Sequence, residues 1–524
     1  MKTTAPTPTS TVERLSLADL ATDSCPAYRR AKPASDRKLR ADRHRAFLLG
    51  EVRDGIRRAI VEGEDETGLR THLARSRQPL SPAEIAWVVA GVGKFELPGP
   101  DLRLLDGDMV YQHTSPSGAV KELDPWAIFS VSLNFDEVSV DLPRYREGAK
   151  PFGAEKIATA AYCAAFGTPA DPLRPWERQR PHRLRSAPAS PRKVTVYEYA
   201  VDTGKRTRRF RGSDEEARQR YFIDGIPAAT QAADPAIRRP GRDCERCAFA
   251  AECEALPKAP GLFGITTPGA PRGGWSATNG SKHSKCRLQD HLFRQNVTRH
   301  EPSAPERIGR ALDAVLNERH RSGRDCGSRR PLATLAEWQR FGDLRTEEEA
   351  AIASAALARH GADTCPFSTG LYTSDALPQQ AVTVYDPDSE VILHATPDLL
   401  YTEDDGLVWR ETKYTQSIPN WTFDALTSRH SIQMATAVLL MASGAVGGGT
   451  PKWVEIEFLS PGGSDWVRID IADEHEVERA RAVVAASASP WRERPEDITA
   501  TPGRHCGFCD ARGICGSAAT EETP

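Results

Sequence analysis

Apolar residues recur along the chain in two rhythms, and the order of those rhythms is the same in both halves. Residues 45–63 and 304–320 have apolar residues at steps of three and four, the period of an amphipathic helix. Runs rich in β-branched and aromatic residues follow at 102–126 and 381–416. In the second of these segments, acidic and glycine turns separate the runs, which predicts an antiparallel meander.

A second pair of matching segments completes the pattern. Residues 154–167 and 430–444 predict another helix, and residues 192–210 and 452–471 predict further strands. Helices and strands thus occur in the same order twice. The sequence therefore predicts two copies of one mixed α/β plan.

Domain boundaries follow from composition. A Pro/Gly-rich stretch predicts a linker over residues 256–274, between domains at 14–255 and 275–516. The tails at 1–13 and 517–524 are rich in small and polar residues, and we expect them to be disordered.

Eight of the eleven cysteines repeat one spacing in both halves. Each half has a C-x2-C-x5-C trio and a lone cysteine more than two hundred residues upstream of it. Four thiolates can hold a 4Fe-4S cluster or a tetrahedral zinc ion, and either would tie the start of a domain to its end. The first set is Cys25, Cys244, Cys247 and Cys253, and the second is Cys286, Cys506, Cys509 and Cys515.

Composition is that of a soluble globular protein. The chain of 524 residues is 39% hydrophobic and 27% charged, with a formal net charge of −3. No apolar run reaches membrane-spanning length, and the N-terminus lacks the apolar core of a signal peptide. We therefore expect a cytoplasmic protein without a membrane partner, in a compartment where clustered cysteines bind metal more often than they form disulfides.

Two local stretches are strongly basic. Arg174–Lys193 carries seven Arg or Lys residues against one Glu, and Arg29–Arg45 is similar in character. Such stretches can contact DNA phosphates, but they are equally typical of solvated loops. The sequence leaves both interpretations open.

Two carboxylates and a lysine form the candidate chemical centre. Asp398 ends the run HATPD, and Glu411-Thr412-Lys413 lies in the next predicted strand, after the turn EDDG. A hairpin would bring Asp398 beside Glu411, and the period of two would place Glu411 and Lys413 on one face. Converging carboxylates suit Mg²⁺ or Mn²⁺, although an isolated E-x-K is more often a surface ion pair.

The combination of these features resembles a known family. Asp398, Glu411-x-Lys413, Gln433 on the following helix and the second cysteine set occur in one order. This order resembles the RecB-like, iron–sulfur branch of the PD-(D/E)XK nucleases over 275–516, and more faintly over 14–254. The resemblance implies an α/β (α+β) fold, a restriction-endonuclease-like core with a mixed central β-sheet flanked by helices, present here as two tandem copies.

The resemblance also implies roles for these residues. Asp398 and Glu411 would bind Mg²⁺ or Mn²⁺, Lys413 would assist the attacking water, and Gln433 would position the water or the phosphate. The family places a metal-binding histidine in its first helix, and here Asp313 stands at that position. Asp313 is either a further oxygen ligand or a solvent-facing helix carboxylate.

The same resemblance assigns a 4Fe-4S cluster to the second cysteine set and suggests another in the first set, with zinc as the alternative. The remaining cysteines are expected to be buried thiols without a metal role: Cys163, Cys326 and Cys365.

The first copy looks chemically weaker. By spacing, Asp108 and Glu122 align with the two carboxylates of the second copy, and Asp124 occupies the position of the lysine. An additional negative charge facing a phosphodiester opposes catalysis. We therefore expect an inactive first copy that is structural or binds DNA.

Two functions from different classes remain. The first is a divalent-metal-dependent deoxyribonuclease, acting on single- or double-stranded DNA in repair or defence. The second is a non-catalytic DNA-binding or scaffold protein with two cluster- or zinc-stapled domains. The chain has no G-x4-G-K-[S/T] motif, so any ATP-driven strand separation would need a partner, such as a helicase or another repair or defence protein.

Overall fold

The computed structural model describes most of the chain. The described ranges are 12–21, 23–29, 47–76, 80–116, 119–173, 180–186, 190–265, 274–297, 301–323, 326–327, 330–370, 374–419, 423–493 and 498–517. Most of both predicted tails, all of the basic stretch Arg29–Arg45 except Arg29, and residues 174–179 and 187–189 of the second basic stretch lie outside these ranges.

The N-terminal half is built on a five-stranded sheet of order β2-β5-β6-β8-β9, beside a smaller sheet of order β1-β4-β3-β7. Its strands are β1 Val12–Ser16, β2 Leu102–Leu104, β3 Asp108–Thr114, β4 Val120–Asp124, β5 Ile128–Ser132, β6 Glu137–Arg144, β7 Thr168–Ala170, β8 Lys193–Ala200 and β9 Arg206–Gly212. Its helices are α1 Leu48–Arg57, α2 Glu66–Ala74, α3 Pro82–Gly93, α4 Ala154–Phe166, α5 Asp214–Arg220 and α6 Ile226–Ala233.

The C-terminal half also has a five-stranded sheet, of order β11-β14-β15-β16-β17, beside a smaller sheet of order β10-β13-β12. Its strands are β10 Gly274–Trp275, β11 Ser374–Pro378, β12 Val382–Asp386, β13 Val391–Ala395, β14 Leu399–Glu403, β15 Gly406–Tyr414, β16 Thr450–Ser460 and β17 Gly463–Asp470. Its helices are α7 Ala277–Lys285, α8 Arg287–Arg294, α9 Ala304–Arg321, α10 Leu335–Trp338, α11 Glu347–Arg359, α12 Ser431–Ala442 and α13 Glu474–Glu493.

The two large sheets have the same pairing directions. In each, the first three strands pair antiparallel, the third and fourth pair parallel, and the last two pair antiparallel. The parallel pair requires a crossover, which α4 provides in the first half and α12 in the second. The predicted mixed sheet flanked by helices is therefore confirmed in both halves.

Local sequence explains the helices around the second sheet. Helix α9 begins after Ser303, whose backbone N–H donates to Oε2 of Glu306 at 2.8 Å, one of the two bonds of a capping box. Its apolar stripe, which includes Ile308 and Leu312, is buried. Helix α12 is buried over most of its length from Met434 to Met441, as expected for a crossover helix packed between a sheet and α13.

The predicted meander over 381–416 is wrong in part. All of its strands are present, but β12 and β13 pair with one another in the small sheet, where β13 also pairs with β10, whereas β14 and β15 join the large sheet. The chain changes sheets between Ala395 and Leu399, and Asp398 lies at this change.

The predicted linker is also packed more tightly than its composition indicates. Leu262 and Phe263 are buried in the core of the C-terminal half. The backbone N–H of Ala259 donates to the carbonyl of Tyr385 at 2.9 Å, and that of Tyr385 donates to the carbonyl of Pro257 at 2.9 Å. The described start of this segment thus extends the small second sheet.

The two halves share buried surface. Leu292 and Val297 of the second half lie in one apolar cluster with Leu48 and Trp87 of the first. Beside this cluster, Nε2 of His291 lies 3.0 Å from an oxygen of Glu84. In the described part of the chain, no helix combines the length and hydrophobicity needed to cross a bilayer.

Candidate active site

The β14–β15 hairpin brings the two predicted carboxylates together. Leu399 pairs with Arg410, so Asp398 stands one position outside the ladder, opposite Glu411. The backbone N–H of Thr412 donates to Oδ2 of Asp398 at 2.7 Å and fixes this carboxylate at the start of β14.

Lys413 lies between the two carboxylates. Its Nζ is 3.0 Å from Oε2 of Glu411 and 3.6 Å from Oδ2 of Asp398. Glu411 and Lys413 are two residues apart on β15 and so lie on one face of the strand, as the sequence predicted. Glu411 is fully buried, whereas Asp398 and Lys413 are partly exposed, so the cluster opens toward solvent.

Two further side chains fix Glu411. The amide nitrogen of Gln433, in the first turn of α12, donates to Oε2 of Glu411. The indole N–H of Trp409 donates to Oε1 at 3.0 Å. The structure thus brings the predicted residues Asp398, Glu411, Lys413 and Gln433 into one cluster.

Asp313 joins the cluster through a residue that the sequence analysis did not identify. Nε2 of Gln379 lies 3.1 Å from Oδ1 of Asp313 and 3.2 Å from Oδ1 of Asp398. Gln379 has a positive φ of 55° at the turn after β11. No sequence pattern distinguishes it from the adjacent Gln380, because its role depends on how α9 packs against the sheet.

Burial and neighbouring charges shift the pKa values of several groups in and beside this cluster. Burial raises the pKa of the Glu411 carboxyl to about 7, with Lys413 opposing the shift and Asp398 adding to it. Desolvation and the negative charge of Asp398 raise the pKa of Asp313 to about 6. Burial and the charge of Lys413 lower the pKa of the adjacent His430 to about 4, so its imidazole is neutral near pH 7.

Three carboxylates thus face one ammonium group, and a divalent cation would offset the excess negative charge. The carboxylates offer oxygen ligands, which suits Mg²⁺ or Mn²⁺.

In the first half, strand pairing corrects the alignment made from spacing. Ile128 pairs with Asp141 in the β5–β6 hairpin, as Leu399 pairs with Arg410 in β14–β15. In strand register, the positions that correspond to Asp398, Glu411 and Lys413 are therefore occupied by Ala127, Leu142 and Arg144.

The alignment of Asp108 and Glu122 with the active-site carboxylates is wrong, because both lie in the small first sheet. Arg53 pairs with Asp108 at 2.9 Å, and Arg14 and His182 pair with Glu122 at 2.7 and 2.9 Å. These carboxylates are engaged in buried ion pairs.

Each half gathers its four cysteines. In the second, all four line one cavity. In the first, burial raises the pKa of the Cys244 thiol to about 12, and the thiols of Cys25, Cys247 and Cys253 add to this rise.

Backbone contacts to the sulfurs repeat as well. The N–H groups of Arg239 and Thr501 donate to the lone cysteines Cys25 and Cys286 at 3.5 and 3.4 Å. Those of Gly241 and Gly503 donate to the first cysteine of each trio, both at 3.4 Å. The two quartets therefore have matching surroundings.

A known protein family matches part of the chain. The family model described as the PD-(D/E)XK nuclease superfamily matches residues 275–516. No curated protein matches the chain. A solved structure described as "Crystal structure of SSO0001" is similar at 12% identity over 45% of this chain and 94% of that chain, with a TM-score of 0.19, which is too low to bear on the fold. Residues 275–516 therefore match the PD-(D/E)XK nuclease superfamily, whose members are typically metal-dependent nucleases, and have its restriction-endonuclease-like fold.

Proposed function

We propose that the protein is a divalent-metal-dependent deoxyribonuclease of the RecB-like iron–sulfur type, with its active site in the C-terminal half. The observation that carries this proposal is the position of Lys413, whose Nζ lies 3.0 Å from Glu411 and 3.6 Å from Asp398. A surface ion pair would not require a buried Glu411 that is also held by Gln433 and Trp409.

Asp398 and Glu411 would hold Mg²⁺ or Mn²⁺, and Asp313 would contribute from α9. The ion would supply a polarised phosphodiester oxygen and a water of lowered pKa. Gln379 positions Asp313 and Asp398 relative to one another, since it contacts both carboxylates.

Lys413 and Gln433 would act on the reacting groups. Although burial opposes it, the charges of Glu411 and Asp398 raise the pKa of Lys413 above its ordinary value, so the group is an ammonium at neutral pH. An ammonium at this position orients a water molecule and stabilises negative charge developing on the phosphate. Gln433, which donates to the same oxygen of Glu411 as Lys413, has an amide that can position the same water or the phosphate.

We propose that the N-terminal half is a duplicated, inactive copy. Ala127 and Leu142 supply no metal ligand at the positions of Asp398 and Glu411. The matching sheet order and the matching contacts to the cysteine sulfurs support the duplication. Its function would be structural, or it would extend the DNA-binding surface for single- or double-stranded DNA.

Each cysteine quartet would hold a 4Fe-4S cluster, with zinc as the alternative. Backbone N–H groups that donate to the sulfurs stabilise thiolates in either case. We propose that the clusters act as staples, because each joins the start of a domain to its end. A helicase or another repair or defence protein is the proposed partner, since the chain has no P-loop of its own.

The test is a cleavage assay of the full-length protein with Mg²⁺ or Mn²⁺ on linear, circular and single-stranded DNA. Lys413→Ala should lose cleavage on every substrate. Lys452→Ala, which removes a partly exposed lysine paired with Asp404, should keep it. Equal absence of cleavage by wild type and Lys413→Ala would favour the non-catalytic scaffold.

A further inference from the structure

A second group of metal-binding side chains lies behind the active-site strand, away from both cysteine quartets. It consists of His320, Cys326, His360 and Cys365, all fully buried. One ligand atom from each residue lies within 4.8 Å of the others. From the sequence alone, Cys326 and Cys365 are expected to be thiols without a metal role.

Two helix ends supply this group. His320 lies in the last turn of α9, and Cys326 follows in the next loop, where its carbonyl accepts from Nη1 of Arg319 at 3.0 Å. His360 begins a π-helical turn, His360–Thr364, that continues α11, and Cys365 follows directly. The backbone N–H of Cys365 donates to the carbonyl of His360 at 2.8 Å, which closes the π-helical turn.

Hydrogen bonding sets the tautomer of His360. Its Nδ1 lies 2.7 Å from Oε1 of Glu457, a buried carboxylate that accepts a hydrogen bond from the Nδ1–H group. The lone pair of Nε2 then points at Nε2 of His320, 3.2 Å away. A metal-bound imidazole usually has this arrangement: one ring N–H donates to a carboxylate, and the lone pair of the other ring nitrogen coordinates the ion.

The spacing also fits one ion. With zinc–nitrogen bonds of 2.0–2.1 Å, a tetrahedral site places two imidazole nitrogens about 3.3 Å apart. The observed separation between the Nε2 atoms of His320 and His360 is 3.2 Å. Two thiolates and two imidazoles, closed on all sides, are typical of structural zinc.

We propose that His320, Cys326, His360 and Cys365 form a structural zinc site that fixes the back of the active-site strand. Two contacts join the site to β15. Glu457, which holds His360, also accepts from Oγ1 of Thr412 at 3.0 Å. The carbonyl of Thr364, next to Cys365, accepts from Nη1 of Arg410 at 2.7 Å.

Thr412 and Arg410 flank Glu411 in the sequence, so the zinc site holds the strand at the position where the catalytic carboxylate is placed. The site itself does not depend on the proposed nuclease activity.

The first experiment counts metals in the full-length protein purified without air and equilibrated with zinc, with loosely bound zinc then removed. Wild type should retain zinc, and Cys326→Ser/Cys365→Ser should retain one equivalent less with unchanged iron. Cys163→Ser is the matched control, because that buried thiol lies in the first half and contacts the carbonyl of Leu123. The control should keep the wild-type zinc content.

The second experiment uses wild type alone, so that a variant that does not fold leaves the proposal testable. Cys326 and Cys365 should resist alkylation until a strong chelator is added, and removal of the zinc should lower the Tm. The proposal is overturned if wild type retains no zinc, if the double variant that folds keeps the same zinc content, or if mass spectrometry shows a Cys326–Cys365 disulfide.

Discussion

The backbone N–H of Thr412 donates to Oδ2 of Asp398 at 2.7 Å, across the β14–β15 hairpin and at the point where the chain passes from the small sheet of the C-terminal half into the large one. This bond orients a carboxylate that lies just outside the strand ladder. Its other oxygen is left to Gln379 and to the open side of the cluster. The position of Asp398 is thus set by the neighbouring strand as well as by its own.

Gln379→Ala should weaken metal binding without unfolding the protein. The variant removes the amide that joins Asp313 to Asp398, and such supporting contacts typically change metal affinity by about 10–100-fold. Titration of cleavage against Mn²⁺ concentration measures the shift. Gln380→Ala, at the exposed neighbouring position, is the control, and an equal shift in both variants would exclude a specific role for Gln379.

Glu411→Gln should remove the stabilisation of the protein by divalent metal. The amide keeps the shape of the side chain but removes a negative charge that burial disfavours, which offsets the loss of the ion pair with Lys413, so the metal-free variant should be about as stable as wild type. At a metal concentration about ten times Kd, wild type should gain about 1.4 kcal/mol. Thermal unfolding with and without Mg²⁺ measures both effects, and an equal Mg²⁺-induced rise in Tm in the variant would contradict the assignment.

Glu122 should contribute a pH-dependent part of the stability of the first half. Against the effect of burial, hydrogen bonds and the charges of His182 and Arg14 lower its pKa from 4.5 to about 2. A lowered carboxyl pKa gives stability that is present above about pH 4.5 and is lost as the pH falls toward 2.

Glu122→Gln should therefore be less stable than wild type at neutral pH, and the difference in Tm should shrink below pH 4.5. The slope of stability against pH is about 1.4 kcal/mol per pH unit for one such group. A Tm difference that stays constant between neutral pH and about pH 3 would show that the ion pairs of Glu122 are not formed.

The shared core predicts that the halves depend on one another. Leu292 belongs to the second half but is fully buried against apolar residues of the first. Leu292→Ala should cost about 2–5 kcal/mol of unfolding free energy. Leu133→Ala, at a side chain that is 75% exposed, should cost little. Similar Tm values for both variants would mean that the halves are not packed together in solution.

Elements with a strong period were predictable from the sequence. Helix α9 follows from apolar residues at steps of three and four, and the side-by-side position of Glu411 and Lys413 follows from the period of two in a strand. The turn at Asp404 and Asp405, both with positive φ, gave the hairpin that brings Asp398 to Glu411.

Features that depend on packing between distant segments were not predictable. Asp108 and Glu122 are separated by nearly the same number of residues as Asp398 and Glu411, yet they lie in the small first sheet. The strand of the first half that corresponds to β15 is β6, because it pairs parallel with β8, as β15 does with β16. Gln379 and the His/Cys group likewise carry no local motif. Their side chains meet only because the helices and turns around them pack against the sheet.

The most direct test of the account compares cleavage of linear DNA by wild type, Asp398→Asn and Asp108→Asn in the presence of Mn²⁺. The two variants change carboxylates that correspond to one another by sequence spacing. By strand pairing they do not correspond, because Asp108 lies in the small first sheet. We expect Asp398→Asn to lose about 100-fold or more of the cleavage rate, while Asp108→Asn, measured on folded protein, keeps it. Full activity in Asp398→Asn, or an equal loss in both variants, would contradict an active site at Asp398, Glu411 and Lys413.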